Sequence, residues 1–217
     1  MNTDVDLALW FWPGACSLAS HIVLEETGLA YDEIKVDFAA GAQRQAEYLA
    51  INPKGRVPAL KVADGILTET PAILTYLQPA FRAALGQSQP SPLEVARELE
   101  FMCWLCSTVH VAFAHISRTE RYARSPEGLA EVKAKGRETC RPLWEEIEAM
   151  IVGRSWIMGD RYTVLDPYLL VFWNWGRGER LGYDMERDFP HWTKHARRLY
   201  ERPAVRRVYE REGLSAP

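Results

Sequence analysis

Cysteine is scarce in this chain, and the four that it has, Cys16, Cys103, Cys106 and Cys140, are scattered over 217 residues. They are too few and too dispersed for a disulfide framework, and they point to a reducing compartment, the cytoplasm. An excess of either charge is also missing. With 26 basic and 29 acidic residues the net charge is −3, so no broad basic field exists to draw nucleic acid or an anionic membrane. Arg197 with Arg198, and Arg206 with Arg207, then read as solvated helix faces. No apolar run approaches the roughly 20 residues of a membrane helix, and a soluble protein is expected. The leading residues MNTDVD carry two acids and no Lys or Arg, unlike the basic start of a signal peptide. What is left is an ordinary globular composition, 47% hydrophobic and 25% charged. The length suits one large domain or two small ones, with enough core to need neither metal nor disulfides.

The run LALWFWPGACSLASHIVLEETG, residues 7 to 28, sets the organisation. Leu7, Leu9 and Phe11 alternate with Ala8, Trp10 and Trp12, apolar on both faces, which predicts a strand buried inside a sheet. Pro13 ends it. Leu18, Ala19, Ile22 and Val23 recur at helical spacing up to a stop at Gly28. A second strand fits 31–36 and a helix 43–51. Strands at 59–62 and 66–68 flank Asp64 and Gly65 as a hairpin. Thr70 as N-cap and Pro71 as first helical residue open a helix over 71–85. The order is βαβαββα. The segment GQSQPSP, 86–92, has the composition of a linker, so domains are expected at 1–86 and 92–217. Beyond it only helices are predicted, over 93–115, 127–152, 164–175 and 189–202.

Three stretches could carry chemistry. Cys16 follows the turn at Pro13 and Gly14 where the first helix begins, and a helix N-terminus favours a thiolate; a small buried cysteine is the plain alternative. In NPKGRVPAL, Pro58 interrupts the entry to a strand, either as an ordinary edge proline or, particularly if the Val57–Pro58 bond is cis, so as to leave backbone groups of Val57 for a peptide-like ligand. In LTETPAI, Glu69 puts a carboxylate beside a capped helix N-terminus. That is a simple cap, or a cation acceptor next to an anion site that a zwitterion would satisfy.

In combination, PGACSLASHI, NPKGRVPAL and LTETPAILTYL, followed by an all-α half, resemble the bacterial, beta-like cytosolic glutathione S-transferases. The resemblance spans nearly the whole chain and is strongest over 9–77. It implies a thioredoxin-like α/β N-terminal domain that binds glutathione, an all-α C-terminal domain that supplies the electrophile site, and a cytoplasmic homodimer with a detoxifying transferase activity. Carried over by residue, Cys16 would face the glutathione sulfur, with Ser17 as a hydroxyl donor. Val57, before cis Pro58, would pair with the cysteinyl backbone, and Glu69 and Thr70 would hold the γ-glutamyl ammonium and carboxylate. His110 stands where similar enzymes place a histidine that reaches the active-site cysteine; a core histidine is the alternative. Conjugation needs a glutathione thiolate, and a free thiol is only a few per cent ionised at neutral pH. Phe11 replaces the tyrosine of many relatives, and Val111 a lysine. Both changes remove polar contacts near the sulfur. They make a glutathione-dependent oxidoreductase working through a Cys16 mixed disulfide, or a non-catalytic binding protein, the alternatives to a transferase acting on small apolar electrophiles.

Three further patterns read mainly as structure. Thr163, Asp166 and Tyr162 form a capping-box and staple pattern, with Pro167 in the first turn. Cys103, Cys106 and His110 share a helical spacing that could suggest zinc, but no fourth ligand accompanies them, and no metal is expected. Trp173 and Trp175 read as core, with the lining of an apolar substrate pocket as the alternative.

Overall fold

The computed structural model describes residues 7–217. The leading residues MNTDVD, on which the signal-peptide expectation rests, lie outside the described residues. The chain divides into two compact units, one made of the residues up to Ser91 with Leu199–Ala216, the other of Pro92–Arg198.

The first unit runs β1 (Ala8–Phe11), α1 (Ser17–Thr27), β2 (Asp32–Lys35), a 3₁₀ turn at Ala42–Arg44, α2 (Ala46–Leu49), β3 (Ala59–Val62), β4 (Gly65–Thr68) and α3 (Thr70–Ala84). The sheet order is β2-β1-β3-β4, with β2 parallel to β1 and β3 and β4 antiparallel. This is the thioredoxin-like βαβαββα arrangement. Leu9 lies opposite Glu33 on one side and Leu60 on the other, so β1 is an inner strand. Leu18, Ile22 and Val23 of α1 and Ile73, Leu74 and Phe81 of α3 are fully buried, and α1 stops at Gly28 in the left-handed conformation. Phe11 points into this core, its ring 4.9 Å from that of His21. Trp10 and Trp12 face the other way and are only half-buried, against Val36, Tyr48 and Val57. The strand is therefore inner but not fully covered on its tryptophan side. The helix expected over 43–51 is broken because Gln45 is extended, at φ −78° and ψ 151°.

The second unit is all-helical: α4 (Pro92–Trp104), a π turn at Leu105–Val109, α5 (His110–Ser117), a 3₁₀ turn at Thr119–Arg121, α6 (Pro126–Ile151), α7 (Leu165–Arg177), α8 (Met185–Asp188) and α9 (Pro190–Tyr200), whose last two residues fall in the first unit. Against the expectation that no apolar run has membrane length, the stretch Pro92–Ser117 is long and apolar enough by composition to cross a membrane. It is split by the π turn; α5 packs on α6 and α4 on α7. Asp166 is buried and does what the capping pattern implies. Its Oδ2 accepts the Thr163 N–H at 2.8 Å, and its Oδ1 accepts the Ile157 N–H at 2.9 Å and lies 2.8 Å from His195 Nε2.

One more helix, α10 (Pro203–Glu212), belongs to the first unit rather than to the helical one. It packs on α1 through Ala204, Val205, Val208 and Tyr209. A row of ion pairs reinforces this packing: Arg207 to Glu25 at 2.6 Å, and Arg211 to Glu25 at 2.8 Å and to Glu33 at 2.6 Å. Beneath it the fully buried His21 ring sits 2.8 Å from Glu212 Oε1 and 3.3 Å from Glu33 Oε1. Burial opposes charge on His21, but the bonds to the two carboxylates outweigh it and raise its pKa. A pKa raised in the fold means that the stabilisation is complete below the unfolded value near 6.5 and is lost as pH rises through the folded value. Stability to urea is therefore expected to fall as pH rises from about 6.5, and His21→Gln should remove that slope; equal slopes in the two proteins would overturn the assignment.

Candidate active site

The turn between β1 and α1 is closed by its own residues. Gly14 takes the left-handed conformation at φ 68°, the Ala15 N–H donates to Trp12 O at 3.1 Å, and the buried Ser17 hydroxyl both donates to Trp12 O and accepts the Trp12 N–H, each at 3.2 Å. Cys16 is thereby set as the N-cap of α1, and its side chain makes no capping bond. Instead Sγ donates to Val57 O at 3.3 Å.

Val57 is held just as firmly. The Tyr48 hydroxyl and the Asn52 side-chain amide both donate to Arg56 O at 2.6 Å. Gly55 has φ 60°, and a Cβ there would stand 2.9 Å from Gln43 O. The Val57–Pro58 bond is cis.

Burial decides the state of the thiol. It pushes the Cys16 pKa up to about 11, although the Thr70 hydroxyl and the N–H groups of Cys16 and Ser17 pull the other way; the charge of Glu69 raises it further. The helix N-terminus favours a thiolate, and loss of hydration opposes it and raises the pKa. Ser17 also departs from expectation: its hydroxyl is spent on the turn, and what it offers the sulfur is a backbone N–H.

At the start of α3 the N-cap is Glu69, with φ 72° and ψ 124°, and Thr70 is the first helical residue. Thr70 therefore does not cap; it is buried, with its hydroxyl on the Cys16 sulfur. A positive φ in a glutamate costs energy that the surroundings must offset. Glu69 remains exposed, and Lys54 Nζ bridges its Oε1 at 2.5 Å and Thr68 Oγ1 at 2.7 Å. Lys54 lies in NPKGRVPAL, yet nothing in the spacing tied it to Glu69, fifteen residues on.

Cys16, Ser17, Val57, Pro58, Glu69 and Thr70 thus lie in the first unit, with Val57, Thr70 and Ser17 all reaching the Cys16 sulfur. His110 belongs to the second unit, at the start of α5. Its ring lies 4.8 Å from that of Trp175 and 6.3 Å from that of Phe172, and Trp175 stacks on Phe113 at 4.4 Å. Trp173 is buried, as expected of core, and its Nε1–H donates to Thr193 at 3.0 Å. The π turn also interrupts the regular spacing from Cys103 to His110. Cys106 Sγ donates to Cys103 O at 3.3 Å, and among the described residues no group of three His, Cys, Asp or Glu is arranged to hold a metal.

The family model for the glutathione S-transferase N-terminal domain matches residues 5–79, and that for the C-terminal domain residues 103–203. Glutathione S-transferase GstA of Escherichia coli O157:H7 is 30% identical over 96% of this chain and 100% of its own length. Among solved structures, a glutathione transferase homologue from Sulfitobacter with bound glutathione is 37% identical, covering 97% of this chain and 100% of that one at a TM-score of 0.88. A sphingomonad glutathione S-transferase complexed with glutathione is 34% identical, covering 96% and 100% at a TM-score of 0.80. The chain belongs to the glutathione S-transferase family, and it is a glutathione transferase with glutathione as its co-substrate.

Proposed function

We propose that the enzyme conjugates glutathione to small apolar electrophiles, and that Cys16 serves as a hydrogen-bond donor to the glutathione sulfur rather than as a nucleophile. One observation carries this reading: the Cys16 thiol already donates its proton to an acceptor, Val57 O at 3.3 Å, and burial raises its pKa in the same sense. A neutral thiol can donate to a glutathione thiolate and so favour its ionised form. It is a poor attacking group for a disulfide. In the conjugating step the glutathione sulfur forms a bond to the electrophilic carbon, the bond to the leaving group breaks with its electron pair, and the thiol proton passes to solvent.

The remaining roles follow from the same supports. The Val57 backbone pairs with the cysteinyl part of glutathione beside Pro58. Glu69 takes the γ-glutamyl ammonium in exchange for Lys54, and Thr70 with the start of α3 receives the γ-glutamyl carboxylate. Ser17 assists the sulfur through its N–H. In the helical unit, the partly exposed Trp175 and His110, backed by the buried rings of Phe113 and Phe172, furnish the electrophile's surface and a polar group beside it. The protein works as a homodimer in the cytoplasm; exposed Leu93 and Leu99 on α4 support an apolar contact between copies, which sedimentation would read directly.

The test is a chlorodinitrobenzene assay. Cys16→Ala is expected to lose about ten- to a hundredfold in kcat/KM at pH 6.5, as one hydrogen bond to a charged group is worth roughly 1.5–3 kcal/mol, with Cys16→Ser partly restoring it and His110→Ala impairing the electrophile step. Unchanged turnover in Cys16→Ala would overturn the donor role. Rapid appearance of a glutathione adduct on Cys16 with oxidised glutathione would favour the oxidoreductase instead, and glutathione binding without turnover of any electrophile or disulfide would favour the binding protein.

A further inference from the structure

Glu212 is the last residue of α10, and its buried carboxylate makes two bonds to the N-terminal strand-turn-helix segment. Oε1 lies 2.8 Å from His21 Nδ1, and Oε2 accepts the Gly14 N–H at 2.8 Å. These partners are 191 and 198 residues away along the chain. Gly14 is the left-handed residue of the turn that presents Cys16, and a Cβ placed on it would stand 3.5 Å from Leu214 Cδ2. The C-terminal segment therefore holds this turn by a carboxylate acceptor, with the Leu214 side chain beside the bare face of Gly14. His21, in turn, packs against Phe11 at 4.9 Å and Tyr31 at 6.0 Å, so the same carboxylate is locked to β1.

A buried pair of this kind is poor evidence for added stability, because a hydrophobic replacement of similar volume is often as stable. What it supplies is a fixed direction. The charged groups around His21 are Glu212 and Arg211 on α10, Glu33 on β2 and Glu25 on α1, with Tyr31 at its edge. Of these, Glu212 is the one that also bonds the turn.

We propose that Glu212 is a positioning residue for the glutathione thiol: by holding Gly14 and His21 together it sets the turn that aims Cys16, and with it the sulfur site, at Val57. This rests on the reading that glutathione binds at Cys16. Two readouts are needed, the KM for glutathione and the rate at which iodoacetamide labels the Cys16 peptide, followed by mass spectrometry with thermal unfolding in parallel. Because small displacements of a reacting group carry large rate effects, Glu212→Ala is expected to raise the glutathione KM on the order of tenfold and to speed Cys16 labelling several-fold as its bond to Val57 loosens. Glu212→Gln retains an acceptor for Gly14 and should return both readouts most of the way. Leu214→Ala, which disturbs no charge, should move both in the same direction by about two- to threefold.

A cooperatively folding Glu212→Ala protein with native KM and native labelling would overturn the proposal, as would failure of Glu212→Gln to rescue. Should Glu212→Ala not fold, unchanged readouts in Leu214→Ala would overturn it. Glutathione must also protect Cys16 from labelling in the native protein. Absence of protection takes down the binding reading and this inference together, whereas protection with a native-like Glu212→Ala sinks this inference alone.

Discussion

Cys16 is expected to react with iodoacetamide at pH 7.5 on the order of a hundredfold more slowly than an unburied cysteine. Only the thiolate reacts. A thiol with a pKa near 8.5 is about one-tenth ionised at that pH, whereas one raised to about 11 is ionised in less than about one molecule in a thousand. The cause is the loss of water around the sulfur, which the Thr70 hydroxyl and two backbone N–H groups offset only in part. The rate should therefore climb about tenfold for each unit of pH up to pH 10, without the plateau near pH 8.5 that a free thiol shows. Exposed Cys103 serves as a control in the same digest. Labelling of Cys16 as fast as Cys103 at pH 7.5 would show that the sulfur is hydrated, and the donor role proposed for it would lose its basis.

How much of this site is legible in the sequence depends on how far apart its parts lie. Strand, turn and helix over residues 8–28 are local: Pro13 and Gly14 end the strand, alternation marks it, and Gly28 stops the helix. The hairpin at Asp64 and Gly65 is equally local, and Val57 with Pro58 can be singled out because proline is unusual at a strand entry. The thiol's state is not local. It depends on Val57 and Thr70, which fold onto Cys16 from 41 and 54 residues away, and burial then reverses the sign expected from the helix N-terminus. Thr70 fails as a cap for a subtler reason. Its residue type and the following Pro71 both fit the rule, but the positive φ falls one residue earlier, at Glu69, so the whole helix starts a position sooner. The last helix is illegible in another way: PAVRRVYERE has its few apolar residues among charges, and only packing on α1 shows that Ala204, Val205, Val208 and Tyr209 form one face. No pattern within that segment could announce that Glu212 bonds Gly14.

Trp144→Ala is expected to cost about 3–5 kcal/mol, the range for deleting a large buried aromatic ring. Trp144 is fully buried on α6 and is the hub of the second unit's aromatic core, with ring centroids 6.1–6.3 Å from Phe172, Tyr183 and Trp192. Nothing nearby is free to collapse into the space it would leave. Gly176 on α7 is already so close that a Cβ there would stand 2.7 Å from Trp144 Nε1 and 2.5 Å from Met185 Sδ, and the neighbouring rings are held by their own partners. For a chain of this size such a loss lowers Tm by on the order of 10 °C. The effect should also reach the candidate electrophile surface, because Phe172 touches both Trp144 and the rings of His110 and Trp175. At temperatures where the variant is still folded, the KM for the electrophile should rise while the KM for glutathione, bound by the other unit in the reading above, stays near native. A Tm within about 3 °C of native would mean that the core repacks far more freely than these contacts allow. Equal rises in both KM values would mean that the two units do not respond separately.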